Sequence, residues 1–169
     1  MALLDRDGVL NVDSGYPFRP DHIVWIDGAF QALARLKEKG YRAVVVTNQS
    51  GVARGLYGEA DVAALHAWMA SEIAARGGDI AAFYYCPYHP EATIAEYRRD
   101  HPDRKPAPGM LLRALAQFPT QLERSFLVGD RDSDVAAAQA AGIKGHLFGG
   151  GNLAAFVEQR LSELDAAGA

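Results

Sequence analysis

The chain has 169 residues, of which 49% are hydrophobic and 22% charged, and its formal net charge at pH 7 is −4. This balance is typical of a globular domain and excludes a disordered or fibrous chain. The acidic charge gives no general attraction to nucleic acid, so an anionic ligand would need a local cluster of cations. We therefore expect one domain over 1–169, a monomer with no nucleic-acid partner.

The cysteine count and the amino terminus bear on the compartment. Cys86 is the single cysteine, which excludes an internal disulfide and suits a reducing cytoplasm. The first residues lack the basic start and long apolar run of a signal peptide. No apolar stretch approaches the roughly 20 residues needed to span a bilayer. We expect a cytoplasmic protein without a membrane role.

Short apolar runs alternate with longer amphipathic segments along the chain, which predicts strands and helices in turn. The predicted strands are 1–4, 42–46, 81–85, 125–128 and 144–148, and the predicted helices are 28–39, 59–76, 109–118, 133–141 and 153–164. This order predicts an α/β fold with a doubly wound, mostly parallel sheet covered on both faces. Residues 86–108 form a long proline-rich loop, and loops of this length are commonly functional.

Polar residues cluster where the predicted strands end. Asp5-Arg6-Asp7 follows the first strand, and Thr47-Asn48-Gln49-Ser50 follows the second. Arg104-Lys105 lies near the end of the long loop, and Asp130 follows the fourth strand. Because open parallel sheets bind ligands at the carboxyl ends of their strands, we expect these motifs to meet at one edge.

Two carboxylates at i and i+2 project on the same side of an extended chain, so Asp5 and Asp7 are expected to face one ligand while Arg6 points elsewhere. Asp5 can attack phosphorus and form an aspartyl phosphate. Asp7 can protonate the leaving alcohol and then deprotonate the hydrolytic water. This division of labour predicts a phosphatase.

Two carboxylates would repel a phosphate dianion, so a divalent cation is required. Oxygen ligands from Asp5, the backbone carbonyl of Asp7 and Asp130 suit octahedral Mg²⁺. We expect Asp132 or Asp134 to act through water.

Donors placed in advance stabilise the charge that spreads over the phosphoryl oxygens in the transition state. The Thr47 hydroxyl and the Lys105 ammonium are the candidates. Asn48 could hold a phosphate oxygen or a substrate hydroxyl, and Arg104 could bind a second anionic group through two hydrogen bonds.

Each motif also has a purely structural explanation. A lone D-x-D-G is commonly a turn or a Ca²⁺-type loop, and Thr-Asn after a strand is usually a helix cap. Lys-Pro is most often a solvated turn, and Gly-Asp is often the start of a helix. The joint placement of all four, in order and at the strand ends of one sheet, favours the catalytic interpretation.

The four motifs resemble those of the haloacid dehalogenase superfamily of phosphohydrolases. Within that superfamily, five segments are similar to the D-glycero-D-manno-heptose 1,7-bisphosphate phosphatases. They are Leu4 to Gly8, Asn11 to Tyr16, Val46 to Gly55, Tyr85-Cys86-Pro87 and Arg104-Lys105-Pro106. The resemblance spans nearly the whole chain. It implies removal of the 7-phosphate from a small phosphosugar.

The resemblance also implies site roles. Asp5 would be the nucleophile, Asp7 the acid and base, Thr47 and Lys105 the phosphate stabilisers, and Arg104 a substrate-recognition residue. The residues implied to touch substrate are Asp13, Ser14, Gly15, Tyr16, Thr47, Asn48, Gln49, Ser50, Arg54, Arg104 and Lys105. Too few residues lie between Ser50 and the Tyr85 strand for an inserted cap domain, so we expect a capless member.

Members of this family usually carry zinc on the long loop, and the matching positions here are Cys86, Tyr88, His101 and Asp103. Only Cys86 is unchanged. His89 could complete a vestigial set of Cys86, His89, His101 and Asp103, but structural zinc sites favour more thiolates, so we do not expect zinc. The alternative is that Cys86 is merely buried and that prolines stiffen the loop.

Two other functions are compatible with the motifs. The first is a histidinol-phosphate phosphatase, whose relatives share them; Arg54-Gly55 and Val12 to Tyr16 favour the heptose substrate. The second is a catalytically silent module that binds a phosphosugar, which the presence of Asp5, Asp7, Lys105 and Asp130 disfavours.

Overall fold

The computed structural model of the protein describes residues 1–167. Five parallel strands form one sheet in the order β3-β2-β1-β4-β5. They are β1 (Ala2–Leu4), β2 (Ala43–Asn48), β3 (Ala82–Cys86), β4 (Phe126–Gly129) and β5 (Lys144–Leu147). The predicted doubly wound parallel sheet is confirmed.

Six α-helices accompany the strands within residues 1–167. They are α1 (Ala29–Glu38), α2 (Ser50–Ala53), α3 (Glu59–Ala74), α4 (Gly109–Gln117), α5 (Asp132–Ala140) and α6 (Leu153–Ala167). The short helix α2 was not predicted, because four residues are too few to show a helical period. No helix in this part of the chain is long and apolar enough to cross a membrane.

The sheet separates two apolar cores, because side chains alternate between its faces. Leu4 faces a core formed with α1, α3 and α6, whereas Leu3 faces a core formed with α4 and α5. β1 is buried along its whole length at the centre of the sheet. The residue that follows it, Asp5, is therefore attached to the buried central strand of the sheet.

β2 extends two residues beyond its predicted end. Thr47 and Asn48 pair with Tyr85 and Cys86 of β3, so the ladder continues through the polar residues. Thr47 and Asn48 are thus positioned by the strand itself. Between Asn48 and β3, the chain forms α2 and α3, as expected for a capless member.

Candidate active site

A cleft of about 550 Å³ opens where the strands end. It is lined by residues that follow β1, belong to the end of β2, lie near the end of the long loop, or follow β4. The candidate site residues among them are Asp5, Asp7, Asp13, Gly15, Tyr16, Thr47, Asn48, Gln49, Ser50, Arg104, Lys105 and Asp134. The fold thus brings together motifs that lie about a hundred residues apart.

Lys105 is the central cation of the site and is only 3% exposed. Its Nζ lies 3.0 Å from Asp5 Oδ2 and 2.5 Å from Asp134 Oδ1, and it donates to the Val46 carbonyl at 2.8 Å. Burial lowers the pKa of Lys105, but the charges of Asp5 and Asp134 outweigh burial and leave it raised. Lys105 is therefore a charged, preorganised donor beside Asp5.

Asp5 is buried against this cation. Its Oδ1 accepts a hydrogen bond from the Arg6 backbone N–H at 2.7 Å. Burial raises the pKa of Asp5 to about 6, although Lys105 opposes that rise, and the Asp134 carboxylate adds to it. Burial and the neighbouring Asp134 carboxylate thus disfavour the ionised form of Asp5, which a further bound cation would stabilise.

Three carboxylates fit a hard divalent cation. Asp5, Asp130 and Asp134 offer oxygens within 4.8 Å of one another. Asp130 Oδ1 is buried and has no hydrogen-bond partner among residues 1–167, as expected of an oxygen available for a metal. Burial and then the Asp134 carboxylate raise the pKa of Asp130. Oxygen ligands of this type suit Mg²⁺.

Asp134 lies closer to the site than its expected water-mediated role implies. It is 1% exposed, and its Oδ2 accepts a hydrogen bond from the Arg131 N–H at 3.1 Å. Asp132, the other candidate, is exposed at the start of α5. Two positions along α5 therefore separate the buried acidic residue at the site from one that faces solvent.

Two glycines make room for these carboxylates. A Cβ at Gly8, which has a φ of +82°, would overlap the carboxylate of Asp130. A Cβ at Gly129 would overlap the side chain of Asp134. The backbone can approach both acidic residues because neither glycine carries a side chain.

Arg6 lies beneath the cleft, whereas Asp5 and Asp7 line it. Arg6 folds back onto Asp7, donating from Nε to Oδ1 at 3.1 Å and from Nη2 to Oδ2 at 3.0 Å. The long side chain can curl around its neighbour, which the alternation of Cβ directions does not consider. Arg6 is fully buried and belongs to the floor of the site.

Gln49 lies between two of the candidate catalytic residues. Its Nε2 donates to Asp7 Oδ2 and to Thr47 Oγ1, each at 3.0 Å. The Thr47 hydroxyl accepts this bond, so its own proton remains available for an oxygen in the cleft. Gln49 is 2% exposed. This arrangement favours a supporting role for Gln49 over the substrate contact implied by the resemblance.

Asn48 joins β2 to the long loop. Its Nδ2 donates to the Lys105 carbonyl at 3.0 Å, and its Oδ1 accepts from the Lys105 N–H at 3.1 Å. Both polar atoms of the side chain are thus engaged with the backbone that carries the central cation. Asn48 lines the cleft and also fixes the position of Lys105.

Cationic and aromatic residues surround the mouth of the cleft. Arg104 lines it and donates to the Tyr88 carbonyl at 3.2 Å. Burial, and also the positive charge of Arg54, lower the pKa of Arg104. Arg54 does not line the cleft itself but lies over the ring of Tyr16, which does, at 5.9 Å. Two neighbouring like charges of this kind favour an anionic ligand.

The segment after β1 completes the rim. Asp13 Oδ2 accepts a hydrogen bond from Arg131 at 2.8 Å, which ties this segment to the start of α5. Ser14 lines an adjoining shallow cleft instead of the main one. Tyr16, which is 40% exposed, has a φ of +57°, an uncommon conformation for a residue with a side chain.

Sequence reasoning missed several residues. Tyr57 and Ser133 line the cleft, and His66 of α3 lies beneath it. The signal for His66 was its position among the apolar residues Leu65 and Met69 on the buried side of α3. Nothing in the local sequence pointed to Tyr57, which reaches the site from the turn between α2 and α3.

The long loop does not provide a zinc site in this structure. Within residues 1–167, no three of Cys86, His89, His101 and Asp103 offer ligand atoms within 4.8 Å of one another. Cys86 is fully buried, and burial raises the pKa of its thiol. His101 Nδ1 instead accepts the N–H of Asp103 at 3.1 Å. The geometry does not fit a bound zinc ion.

Aromatic and ionic contacts hold the same loop. The His101 ring stacks on Tyr88 with centroids 4.3 Å apart, and the Arg99 guanidinium lies 4.2 Å from the Tyr88 centroid. Arg113 of α4 donates to Asp103 at 2.7 Å. Tyr88 is thus the centre of the packing in this loop.

Known proteins resemble this chain in sequence. A family model described as HAD-hydrolase-like matches residues 103–164. The D-glycero-beta-D-manno-heptose-1,7-bisphosphate 7-phosphatase of Rhodopseudomonas palustris is 44% identical over 166 residues, covering 98% of this chain and 92% of that protein. The protein of the same name from Escherichia coli (strain K12) is 45% identical over 140 residues, covering 83% of this chain and 73% of its own.

A solved structure agrees with the sequence comparison. The D,D-heptose 1.7-bisphosphate phosphatase from B. bronchiseptica, complexed with magnesium and phosphate, has a TM-score of 0.82 and 35% identity, covering 96% of this chain and 98% of that one. Both its fold and its length therefore correspond to this protein. The chain belongs to the D-glycero-D-manno-heptose 1,7-bisphosphate 7-phosphatase family of the haloacid dehalogenase superfamily.

Proposed function

We propose that this protein is a Mg²⁺-dependent phosphatase that removes the 7-phosphate of D-glycero-D-manno-heptose 1,7-bisphosphate through an aspartyl phosphate on Asp5. The observation that carries this proposal is the convergence of Asp5, Asp7, Thr47 and Lys105 on one cleft. Family membership supports the substrate, and the arrangement of the side chains supports the chemistry.

In the first step, an Asp5 carboxylate oxygen attacks phosphorus and forms a new P–O bond. The bond from phosphorus to the sugar oxygen breaks, and Asp7 gives that oxygen a proton, releasing the alcohol. Lys105 and the Thr47 hydroxyl bind the phosphoryl oxygens, where negative charge accumulates in the transition state. Neither donor has to move far, because both lie at the end of β2 or beside Asp5.

In the second step, water attacks the phosphorus of the aspartyl phosphate. Asp7, now a carboxylate, takes a proton from the water, and the bond between phosphorus and Asp5 breaks. Inorganic phosphate leaves, and Asp5 is again a carboxylate. Atoms and charges therefore return to the starting arrangement.

The residues that would hold Mg²⁺ are Asp5, Asp130 and the backbone carbonyl of Asp7, with the carboxylate of Asp134 close by. The bound ion would supply positive charge that offsets these carboxylates and polarises the phosphoryl group. The unpartnered oxygen of Asp130 supports this assignment. Lys105, held between Asp5 and Asp134, supplies the positive charge that the chain itself contributes.

The second phosphate of the substrate accounts for the cations at the mouth. Arg104 and Arg54 carry neighbouring positive charges there. An arginine suits a phosphate because its donors match two oxygens at once. We propose that these residues bind the phosphate that is retained, and that Asp13 to Tyr16 and Ser50 contact the sugar between the two groups.

The test compares kcat/KM, in the presence of Mg²⁺, for heptose 1,7-bisphosphate, heptose 7-phosphate and histidinol phosphate. We expect kcat/KM for the bisphosphate to exceed that for either monophosphate by at least about tenfold. The reason is that only the bisphosphate has a second phosphate for the two arginines to bind. Phosphate release is followed continuously. Better turnover of histidinol phosphate would overturn the substrate assignment.

Asp5→Asn is the matched control for the chemistry. The amide keeps the shape of the side chain but is not a nucleophile, so we expect no turnover and retained substrate binding by calorimetry. Turnover by this variant would exclude the aspartyl phosphate. Binding without phosphate release by the unmodified protein would identify a silent binding module instead of an enzyme.

A further inference from the structure

The carboxylate of Asp7 is held by four side-chain hydrogen bonds. Oδ1 accepts from Arg6 Nε at 3.1 Å and from Asn11 Nδ2 at 2.9 Å. Oδ2 accepts from Arg6 Nη2 and Gln49 Nε2, each at 3.0 Å. Two bonds come from a guanidinium and two from neutral amides. The guanidinium bonds are the stronger ones, because the donor is charged and both bonds share one rigid plane.

Arg6 is an unusual residue to find at 0% exposure. Asp7 is its ionic partner, and its other acceptors are neutral: the Pro17 carbonyl at 2.8 Å, Gln49 Oε1 at 3.1 Å and His66 Nε2 at 3.3 Å. A buried ion pair is a poor source of stability, because desolvation offsets the attraction. These partners hold the guanidinium in one orientation, which a small contribution to stability does not by itself explain.

A second layer of side chains fixes this network. The Tyr57 hydroxyl donates to Gln49 Oε1 at 2.7 Å, and the Tyr57 ring stacks on Phe18 at 5.0 Å. The His66 ring stacks on Phe83 at 4.5 Å. Burial and the Arg6 charge lower the pKa of His66 to about 3, so its imidazole stays neutral and can accept from Arg6. The guanidinium is thus also held on the side opposite Asp7 by residues that are themselves packed in place.

We propose that Arg6 is a positioning residue for the reaction, whose two-point hold on Asp7 fixes that carboxyl group at the leaving oxygen while the weaker amide bonds exchange with substrate. This inference rests on the proposed role of Asp7 as acid and base. Arg6 does not touch substrate, since it is sealed beneath the cleft. It acts only through Asp7, and that restriction can be tested.

The first experiment uses Arg6→Met and Arg6→Lys with heptose bisphosphate and with p-nitrophenyl phosphate. With enzyme in excess, release of the alcohol or phenol reports the first step alone. Nitrophenolate leaves without a proton, whereas the sugar alkoxide needs one. We expect alcohol release to slow about 100-fold, the scale of acid catalysis, with KM little changed, and nitrophenolate release to stay within about threefold.

Arg6→Lys keeps the buried positive charge but cannot hold both oxygens. If Arg6→Met does not fold, Arg6→Lys tests the proposal in its place. We expect Arg6→Lys to release the alcohol at least about tenfold more slowly than the unmodified protein. Arg35→Met is the matched control, because Arg35 makes a similar two-point pair with Glu158 at 2.8 and 3.1 Å away from the cleft. We expect both substrates to react normally with it.

The second experiment is a double-mutant cycle on phosphate release from p-nitrophenyl phosphate. If Arg6 acts through Asp7, adding Arg6→Met to Asp7→Asn leaves the residual rate within about twofold. Equal slowing of both leaving groups, no slowing of either, or additive losses in the cycle would each overturn the proposal. If heptose bisphosphate is not a substrate, another accepted alkyl phosphate replaces it, so failure of the proposed function is seen separately.

Discussion

Lys105 illustrates how single residues set the electrostatics of this site. It lies between the carboxylates of Asp5 and Asp134, and its Nζ also donates to the Val46 carbonyl. Removing one partner from such a buried pair lowers stability by much more than the intact pair raises it, because the remaining charge is left without compensation. We therefore regard the Lys105 cluster as a feature retained for chemistry more than for stability.

His66 gives a prediction about pH. Its pKa is lowered to about 3 by burial and by Arg6, while the unfolded chain has an ordinary histidine near 6.5. As pH falls below 6.5, the unfolded chain gains a proton that the folded chain refuses, so stability is lost. As the pH is lowered, we expect the free energy of unfolding of His66→Gln to fall less than that of the unmodified protein. The difference should grow by up to about 1.4 kcal/mol per pH unit below pH 6.

The measurement is the free energy of unfolding in urea at pH 7.5, 6.0 and 5.0. Glutamine offers a neutral acceptor to Arg6 at every pH, so only the titration is removed. The two curves should run parallel above pH 7 and diverge below pH 6. Parallel curves down to pH 5 would mean that His66 takes up its proton in the folded state.

At the scale of elements, the close approach of α5 to the end of β4 positions the acidic residues. Gly129 ends β4, and the side chain of Asp134 occupies the space where a Cβ would lie. Asp130 occupies the corresponding space at Gly8. The geometry of the carboxylate cluster thus depends on two backbone positions as much as on the acidic residues.

We predict that Gly129→Ala destabilises the protein by about 1–3 kcal/mol, because the added methyl group overpacks the junction between β4 and α5. It should also reduce phosphate release, since Asp134 must shift away from Lys105. Gly149→Ala is the matched control, because a Cβ at Gly149 would meet no described atom of the chain within 4 Å. Urea unfolding of both variants gives the comparison, with the control within about 0.5 kcal/mol.

If Gly129→Ala proves as stable as Gly149→Ala, the approach of α5 to β4 is looser than the structure indicates. A stable but inactive Gly129→Ala protein would instead separate the two effects. In that outcome, the displaced carboxylate matters to catalysis and not to folding.

At the scale of the whole molecule, the site gathers negative charge at the end of the sheet. Asp5, Asp130 and Asp134 lie together, and Lys105 neutralises only part of their charge. Burial and the neighbouring carboxylates raise the pKa values of Asp5 and Asp130. A bound cation therefore stabilises the folded chain, because the unfolded chain does not bring these residues together.

We predict that Mg²⁺ raises the free energy of unfolding by about 2.7 kcal/mol when its free concentration is a hundred times its Kd. Asp130→Asn should lose most of this increase and should be at least as stable as the unmodified protein without metal, since one repelling charge is gone. Thermal unfolding across a Mg²⁺ titration measures both effects. If Mg²⁺ stabilised Asp130→Asn as much as the unmodified protein, the ion would bind somewhere other than this cluster.

Much of the site could be predicted because its main residues follow strands directly. Asp5, Thr47 and Asp130 each lie at or just after a strand, and parallel strands bring such positions to one edge. The supporting residues could not be found in this way. The partners of Arg6 include Gln49 and His66, which are 43 and 60 positions away, and the backbone that Asn48 holds is 57 positions away.

By itself, the sequence determined the order of strands and helices, the parallel sheet and the residues at the strand ends, because apolar periodicity and turn residues act over short distances. The tertiary structure alone decided that Arg6 turns onto Asp7, that Gln49 and Asn48 support the site, and that Tyr88 packs the long loop. Those outcomes depend on which side chains meet after folding. A buried polar atom must find its partner there, wherever along the chain that partner lies.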